Sequence, residues 1–192
     1  MFFTRRNKEW KAQKALKAME NSQWKCRSCN ELHSGVFDLG MASPSVWPDE
    51  ETIEPNAALS FDRNFLSEDF CVIDGENFIV RGVLKFYVEG LEKEFGFGVW
   101  SSLSKANFEN YLEIFDDGIE EVGPEWSSWF CSDLSYFGKT VGEKAWVVAQ
   151  PNRQRPLIQM MDDTTVLGRA HKNGLAASTL IEIFEYYGHA PK

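Results

Sequence analysis

Along this chain the apolar positions recur first with a helical period, then lose any period, and then alternate. In residues 5–20, Trp10, Ala12, Leu16 and Met19 fall roughly on one side with lysines around the rest, which predicts an amphipathic helix, weakly packed or frayed. From Met41 to Asn64 no period survives, and Pro44, Pro48 and Pro55 among five acids predict a long surface loop. Phe70–Ile73 is apolar, Asp74-Gly75 is a hairpin turn signal, and 77–89 alternates. Phe78, Val80, Leu84, Phe86 and Val88 share one face of that second strand, with Ile79, Arg81, Val83, Lys85, Tyr87 and Glu89 on the other. Phe95, Phe97, Val99 and Ser101 begin a third strand, with Gly96, Gly98 and Trp100 opposite. Ser104 is placed to cap a helix whose stripe is Phe108, Tyr111, Leu112 and Phe115, and Gly118 ends it. Two more strands are expected near 144–150 and 156–161, joined by Pro151-Asn152-Arg153. A last helix, about 176–187, turns Leu180, Ile183, Phe184 and Tyr187 inward and closes at Gly188.

Successive strands followed by helices predict an α+β fold, a mainly antiparallel sheet with helices packed to one side. The expected organisation is a basic helical leader over 1–22 and a single domain over 23–192, with a small zinc knuckle at 24–34. At 192 residues the chain buries about 70% of its extended surface, enough core to stand without disulfides. No apolar run reaches the 18 residues of a membrane helix, and MFFTRRNKEW has no apolar stretch behind its arginines, so neither a membrane span nor a signal peptide is expected. Four cysteines with one close pair fit reduced thiols in the cytoplasm.

Charge changes the picture of partners. Residues 1–27 carry a net +6, which leaves −15 on the rest of this −9 chain. An acidic body repels nucleic acid and anionic membranes and favours a basic partner. The leader, taken alone, could touch nucleic acid.

One segment carries chemistry. In W-K-C-R-S-C-N-E-L-H, Cys26 and Cys29 can grip one tetrahedral ion from a tight turn and His33 can add a third ligand. A closed zinc site needs a fourth, for which Cys131 is the first candidate, with Cys71, His171 and His189 behind it. A thioredoxin-like redox pair and unmetallated buried cysteines are the rival readings; no apolar helical stripe follows the pair, as a redox motif would need. Asp74, Glu76 and Asn77 are explained by a hairpin turn, and Asp162 and Asp163 by a loop, although with Arg155 they could face a cleft. His171 reads as a turn residue and Cys71 as core. No Gly-rich phosphate loop, nucleophile elbow or paired-His helix motif occurs.

Together, W-K-C-R-S-C-N-E-L-H, C-V-I-D-G-E-N-F-I-V-R-G-V-L, F-G-F-G-V-W-S-S-L-S-K-A-N-F and W-F-C-S-D-L resemble the bacterial domain of unknown function 2199 (DUF2199) over about residues 24–187. The resemblance implies a prokaryotic cytoplasmic protein, often a stand-alone domain, whose Cys-x-x-Cys-x-x-x-His start falls on Cys26, Cys29 and His33. It also implies a D-H-P-L-like loop before the last helix; this chain departs from it with D-T-T-V-L, placing Thr165 where that His would stand.

The functional expectation is a non-enzymatic protein-binding module with one structural zinc, in its sharpest form an immunity-type inhibitor of a basic toxin. The rival class is a small-ligand binder or enzyme with a pocket lined by Arg81, Trp100, Trp126, Trp129 and Arg155; a third is a nucleic-acid adaptor working through the leader. The charge separates the last from the others. Full-length chain should not retain duplex DNA at physiological salt in a gel-shift titration, and retention lost on starting the chain near Gln23 would favour the adaptor.

Overall fold

The computed structural model describes residues 2–27, 30–48, 50 and 52–189, with side chains from Arg6 onward. In chain order the helices and strands are α1 (Phe2–Glu20), β1 (Gln23–Lys25), β2 (Leu32–Ser34), β3 (Leu39–Gly40), β4 (Phe65–Leu66), β5 (Phe70–Ile73), β6 (Asn77–Phe86) and β7 (Phe95–Leu103). They continue with α2 (Lys105–Asp117), β8 (Glu125–Trp129), β9 (Lys144–Val148), β10 (Leu157–Met160), α3 (Val166–Asn173) and α4 (Ala177–Tyr186). The chain divides into two compact units, Met1–Asp38 with Phe86–Gly96 and Ala170–Lys192, and Leu39–Lys85 with Phe97–Arg169.

The larger unit is organised by a mixed eight-stranded sheet. Its main path runs β3-β7-β6-β10-β9-β8, and β4 and β5 extend from β6. The mainly antiparallel expectation holds for β4–β5, β5–β6, β8–β9 and β9–β10, while β3–β7 and β6–β10 are parallel. The predicted faces of β6 are observed. Phe78 and Phe70 meet Phe108 of α2 at ring distances of 5.5 and 5.9 Å, so α2 covers that side. Ser104 caps α2 by accepting from the Asn107 N–H, and Gly118 ends the helix in the left-handed region at φ 78. On the opposite face Ile79 joins Leu66, Cys71, Ile73, Trp100 and Cys131 in a buried cluster, with Met41 and Trp47 of the long loop packed over it. Each such aliphatic or aromatic side chain contributes about 1.5–3 kcal/mol by leaving water.

The turn chemistry also follows the sequence. Asp74 and Gly75 have φ 56 and 67, and Asn152 and Arg153 both have φ 58. Strand β8 and helix α3 escaped the periodicity, as did the two-residue strands β3 and β4. Strand β8 reads E-W-S-S-W, where serines interrupt the alternation; its Ser128 is buried and satisfied by Ser101 and the Ala145 carbonyl. Helix α3 is eight residues long and contains a glycine, and it puts His171 in a helix where a turn was expected.

In the smaller unit, the expected weak packing of the first helix is corrected. Leu16 and Met19 are almost wholly buried and α1 packs against α4. Trp10 does not share their side and is 59% exposed. At about 100° per residue it lies roughly 160° around the helix from Ala12, so it was misassigned. Ala176 at the N-cap of α4 has no side chain to offer, and Glu9 of α1 supplies one. Its carboxylate accepts from the Ala177 N–H at 2.7 Å and the Ser178 N–H at 3.3 Å. A carboxylate on a helix N-terminus is worth about 1 kcal/mol.

Close approach of β6 and β10 generates a test. A Cβ on Gly82 would lie 2.7 Å from the Ile158 side chain and from the Pro156 carbonyl. Gly82→Ala should therefore cost about 1–3 kcal/mol through overpacking, measured by urea denaturation; an unchanged midpoint would contradict this contact.

Candidate metal centre

The site begins in a two-stranded hairpin. β1 and β2 pair Trp24 with His33, and the Cys26 N–H donates to the Glu31 carbonyl at 2.9 Å. Asn30 makes the turn with φ 61, a conformation asparagine tolerates better than most residues. Strand alternation alone would put Trp24 and Cys26 on one face, and both are buried, Cys26 completely. Trp24 is fixed by its indole N–H donating to the Gly35 carbonyl at 2.9 Å.

The other half comes from the end of the chain. Helix α4 stops at Tyr186, and Gly188 takes φ 81, so the next residue turns back. The Cys26 thiol donates to the Gly188 carbonyl at 3.6 Å. His189 is thereby set against His33, with ring centroids 5.4 Å apart and planes at 81°. Phe37 stands 4.6 Å from His33 and 5.3 Å from His189, and Phe184 closes behind Phe37 at 5.2 Å.

One ligand atom each from Cys26, His33 and His189 lies within 4.8 Å of the others. Tetrahedral zinc with bonds of about 2.0–2.3 Å sets its ligands roughly 3.5 Å apart, so a contraction of about 1.3 Å at most separates this geometry from an ion-filled one. Among the described residues His189 Nδ1 is buried without a hydrogen-bond partner, an expensive state for a ring nitrogen that a metal would relieve. A thiol and two imidazoles, soft and borderline donors, are the set zinc prefers.

Of the expected ligands, Cys26 and His33 come together, and Cys29 lies outside the described residues. Cys131 belongs to the buried cluster of the larger unit, where its thiol donates to the Trp129 carbonyl at 3.3 Å. Burial pushes it up to about 11 and Cys71 up to about 12, so both are held as neutral thiols. The residue that joins the cluster is His189. The signal for it was the helix-ending Gly188, which reverses the chain just before the last histidine.

Of the other expected site residues, Arg81, Trp100 and Arg155 lie together, while Trp126, Trp129 and His171 do not join them. Trp100 is wholly buried, Trp129 is 54% exposed under Lys144, and Trp126 packs on Tyr111 at 6.1 Å. Arg81 lies over Trp100 and shares the Glu68 carbonyl with Arg155. His171 sits against Phe86, and burial depresses its pKa while Glu94 opposes the shift. Thr165 donates to Glu143 and accepts from the Gly168 N–H, fastening the start of α3.

Fold and cluster together define an α+β protein with a Cys/His group where an N-terminal hairpin meets the C-terminal turn. The chain belongs to the family described as uncharacterised protein conserved in bacteria (DUF2199), whose model matches residues 25–175. Cys26, Cys29 and His33 fall inside that span and His189 beyond it. No curated protein and no solved structure matches the chain. Among the described residues no helix is long and apolar enough to cross a membrane.

The raised thiols set an expectation for reactivity. In native protein at pH 8, Cys71 and Cys131 should resist a disulfide reagent for many minutes, since the thiolate is the reacting form, and denaturation should release four thiols. Rapid native labelling of Cys131, located by peptide mapping, would contradict their burial.

Proposed function

We propose that this chain is a non-enzymatic protein-binding module whose smaller unit is closed by one structural zinc ion, held by Cys26, Cys29, His33 and His189. The observation that carries the reading is the mutual approach of Cys26, His33 and His189, ligand atoms within 4.8 Å. Cys29, three residues after Cys26, completes a four-ligand set in place of Cys131. Four protein donors leave no open coordination position for substrate water, which makes the ion structural and not catalytic. Trp24, Phe37 and Phe184 surround the ligands with rings and favour a dry, closed site.

The absence of an activated nucleophile at the two raised cysteines fits a binding role. Partner chemistry follows from charge: −15 over the residues after Arg27 suits a basic protein, and a toxin held by an immunity-type inhibitor is the sharpest version. A reducing, cytoplasmic setting suits the thiolate ligands.

Protein purified without chelator should contain about one zinc per chain by elemental analysis. Cys26→Ser and His189→Ala should each lose it, and melting should fall by roughly 5–10 °C, since a chain this size loses about 2–4 °C per kcal/mol. Metal-free protein, or a His189→Ala variant that keeps its zinc, would contradict the assignment. A basic protein that co-purifies, identified by mass spectrometry and released by salt, would support the partner chemistry.

A further inference from the structure

We propose that Arg81 and Arg155, in the larger unit, form a binding site for a small oxyanion, the carboxylate or phosphate group of a small molecule. The inference is independent of the zinc reading. Two guanidinium groups converge on one acceptor: Arg81 Nη1 and Arg155 Nη2 each donate to the Glu68 carbonyl at 3.4 Å. Both bonds are long. Arg155 has a stronger partner, its Nε donating to Asp69 Oδ1 at 2.7 Å, while Asn56 donates to the other oxygen of that carboxylate at 2.8 Å. Asp69 is thus engaged twice by other groups. The side chain of Arg81 has only its one long bond among the described residues, and its Nε is buried without a partner.

The surroundings hold this under-satisfied cation in place. Gly40 and Gly98 pair across β3 and β7 and leave bare backbone beneath it. A Cβ on Gly40 would stand 3.1 Å from Arg81 Nη2, and one on Gly98 would stand 3.5 Å away. The Trp100 ring lies 5.7 Å from the guanidinium carbon. Arg81 therefore runs past a glycine strip and beside an indole, an arrangement that limits where its Nη groups can go. Burial and the neighbouring charge of Arg155 push its pKa below the ordinary guanidinium value, although Asp69 and Glu68 pull the other way. A guanidinium nevertheless stays protonated at neutral pH. An oxyanion bridging the Nη groups of the two arginines would replace one long, shared carbonyl contact with charge-assisted bonds and relieve their repulsion, the geometry in which arginine binds carboxylate and phosphate. A purely structural arginine would need neither the second cation nor the cleared strip.

The test is a titration of full-length protein, at constant ionic strength set with chloride, with inorganic phosphate and separately with succinate. Arginine Nε–H and Trp100 indole resonances are followed by NMR. Saturable shifts are expected with a dissociation constant on the order of millimolar, modest because Glu68 is close. Saturation by phosphate alone would assign a phosphate ester, by succinate alone a carboxylate, and by both a site that reads charge. Arg155→Gln should weaken binding at least fivefold. Gly40→Ala, whose methyl would stand 3.1 Å from Arg81 Nη2, should do the same with an unchanged melting temperature, and it carries the test should Arg155→Gln fold poorly. Shifts that never saturate with either anion, or binding unaltered in both variants, would overturn the proposal.

Discussion

The constraint on which the smaller unit depends is the meeting of the two ends of the chain. Cys26 and Gly188, 162 positions apart, are in hydrogen-bond contact, and the turn at Gly188 delivers His189 to His33. Closing so long a loop costs entropy that a few ring contacts offset weakly. Two devices share the task. One is apolar and local: Leu16 and Met19 buried on α1, and Phe184 wedged among Trp24, Phe37 and Phe95. The other is polar: Glu9 caps α4, and the Cys/His group lies at its far end. A metal at that group would turn a set of separately weak contacts into one strong one, because ligand binding that exists only in the folded state adds directly to stability.

The larger unit solves a different problem. Its sheet buries one face under α2 and part of the other under the long loop, so polar atoms must be matched wherever strands change partner. Ser101, Ser128, Ser132 and Thr140 are all buried and all hydrogen-bonded. Against that background, Arg81 Nε and Asn56 Oδ1 stand out, as does a ring nitrogen of His189 in the smaller unit, each without a hydrogen-bond partner among the described residues. Buried polar atoms are matched as a rule, so exceptions in a well-packed chain are where ligands are to be sought.

Much of the fold was legible because its signals are local. The Asp74-Gly75 turn, the alternation along β6, the Ser104 cap and the Phe108–Tyr111 stripe each depend on neighbours a few residues away. What was not legible depends on residues far apart. Parallel pairing of β6 with β10 is set by tertiary packing, and α3 is too short to show a period. Trp10 lies off the buried stripe of α1 because helical angle, about 100° per residue, and not apolar character decides which side chains share a face. The candidate site divides the same way. Cys26 and His33 were readable because one hairpin, from Gln23 to Ser34, brings them together. His189 enters through the reversal at Gly188, and Cys131, chemically the better ligand, is taken up by a core that no spacing rule reveals.

X-ray absorption at the zinc edge counts the ligands of the proposed ion by element. Two sulfurs near 2.3 Å and two nitrogens near 2.0 Å are expected, with no zinc-edge signal from His189→Ala. A shell of oxygen and nitrogen alone, or three sulfurs with a single nitrogen, would contradict this ligand set.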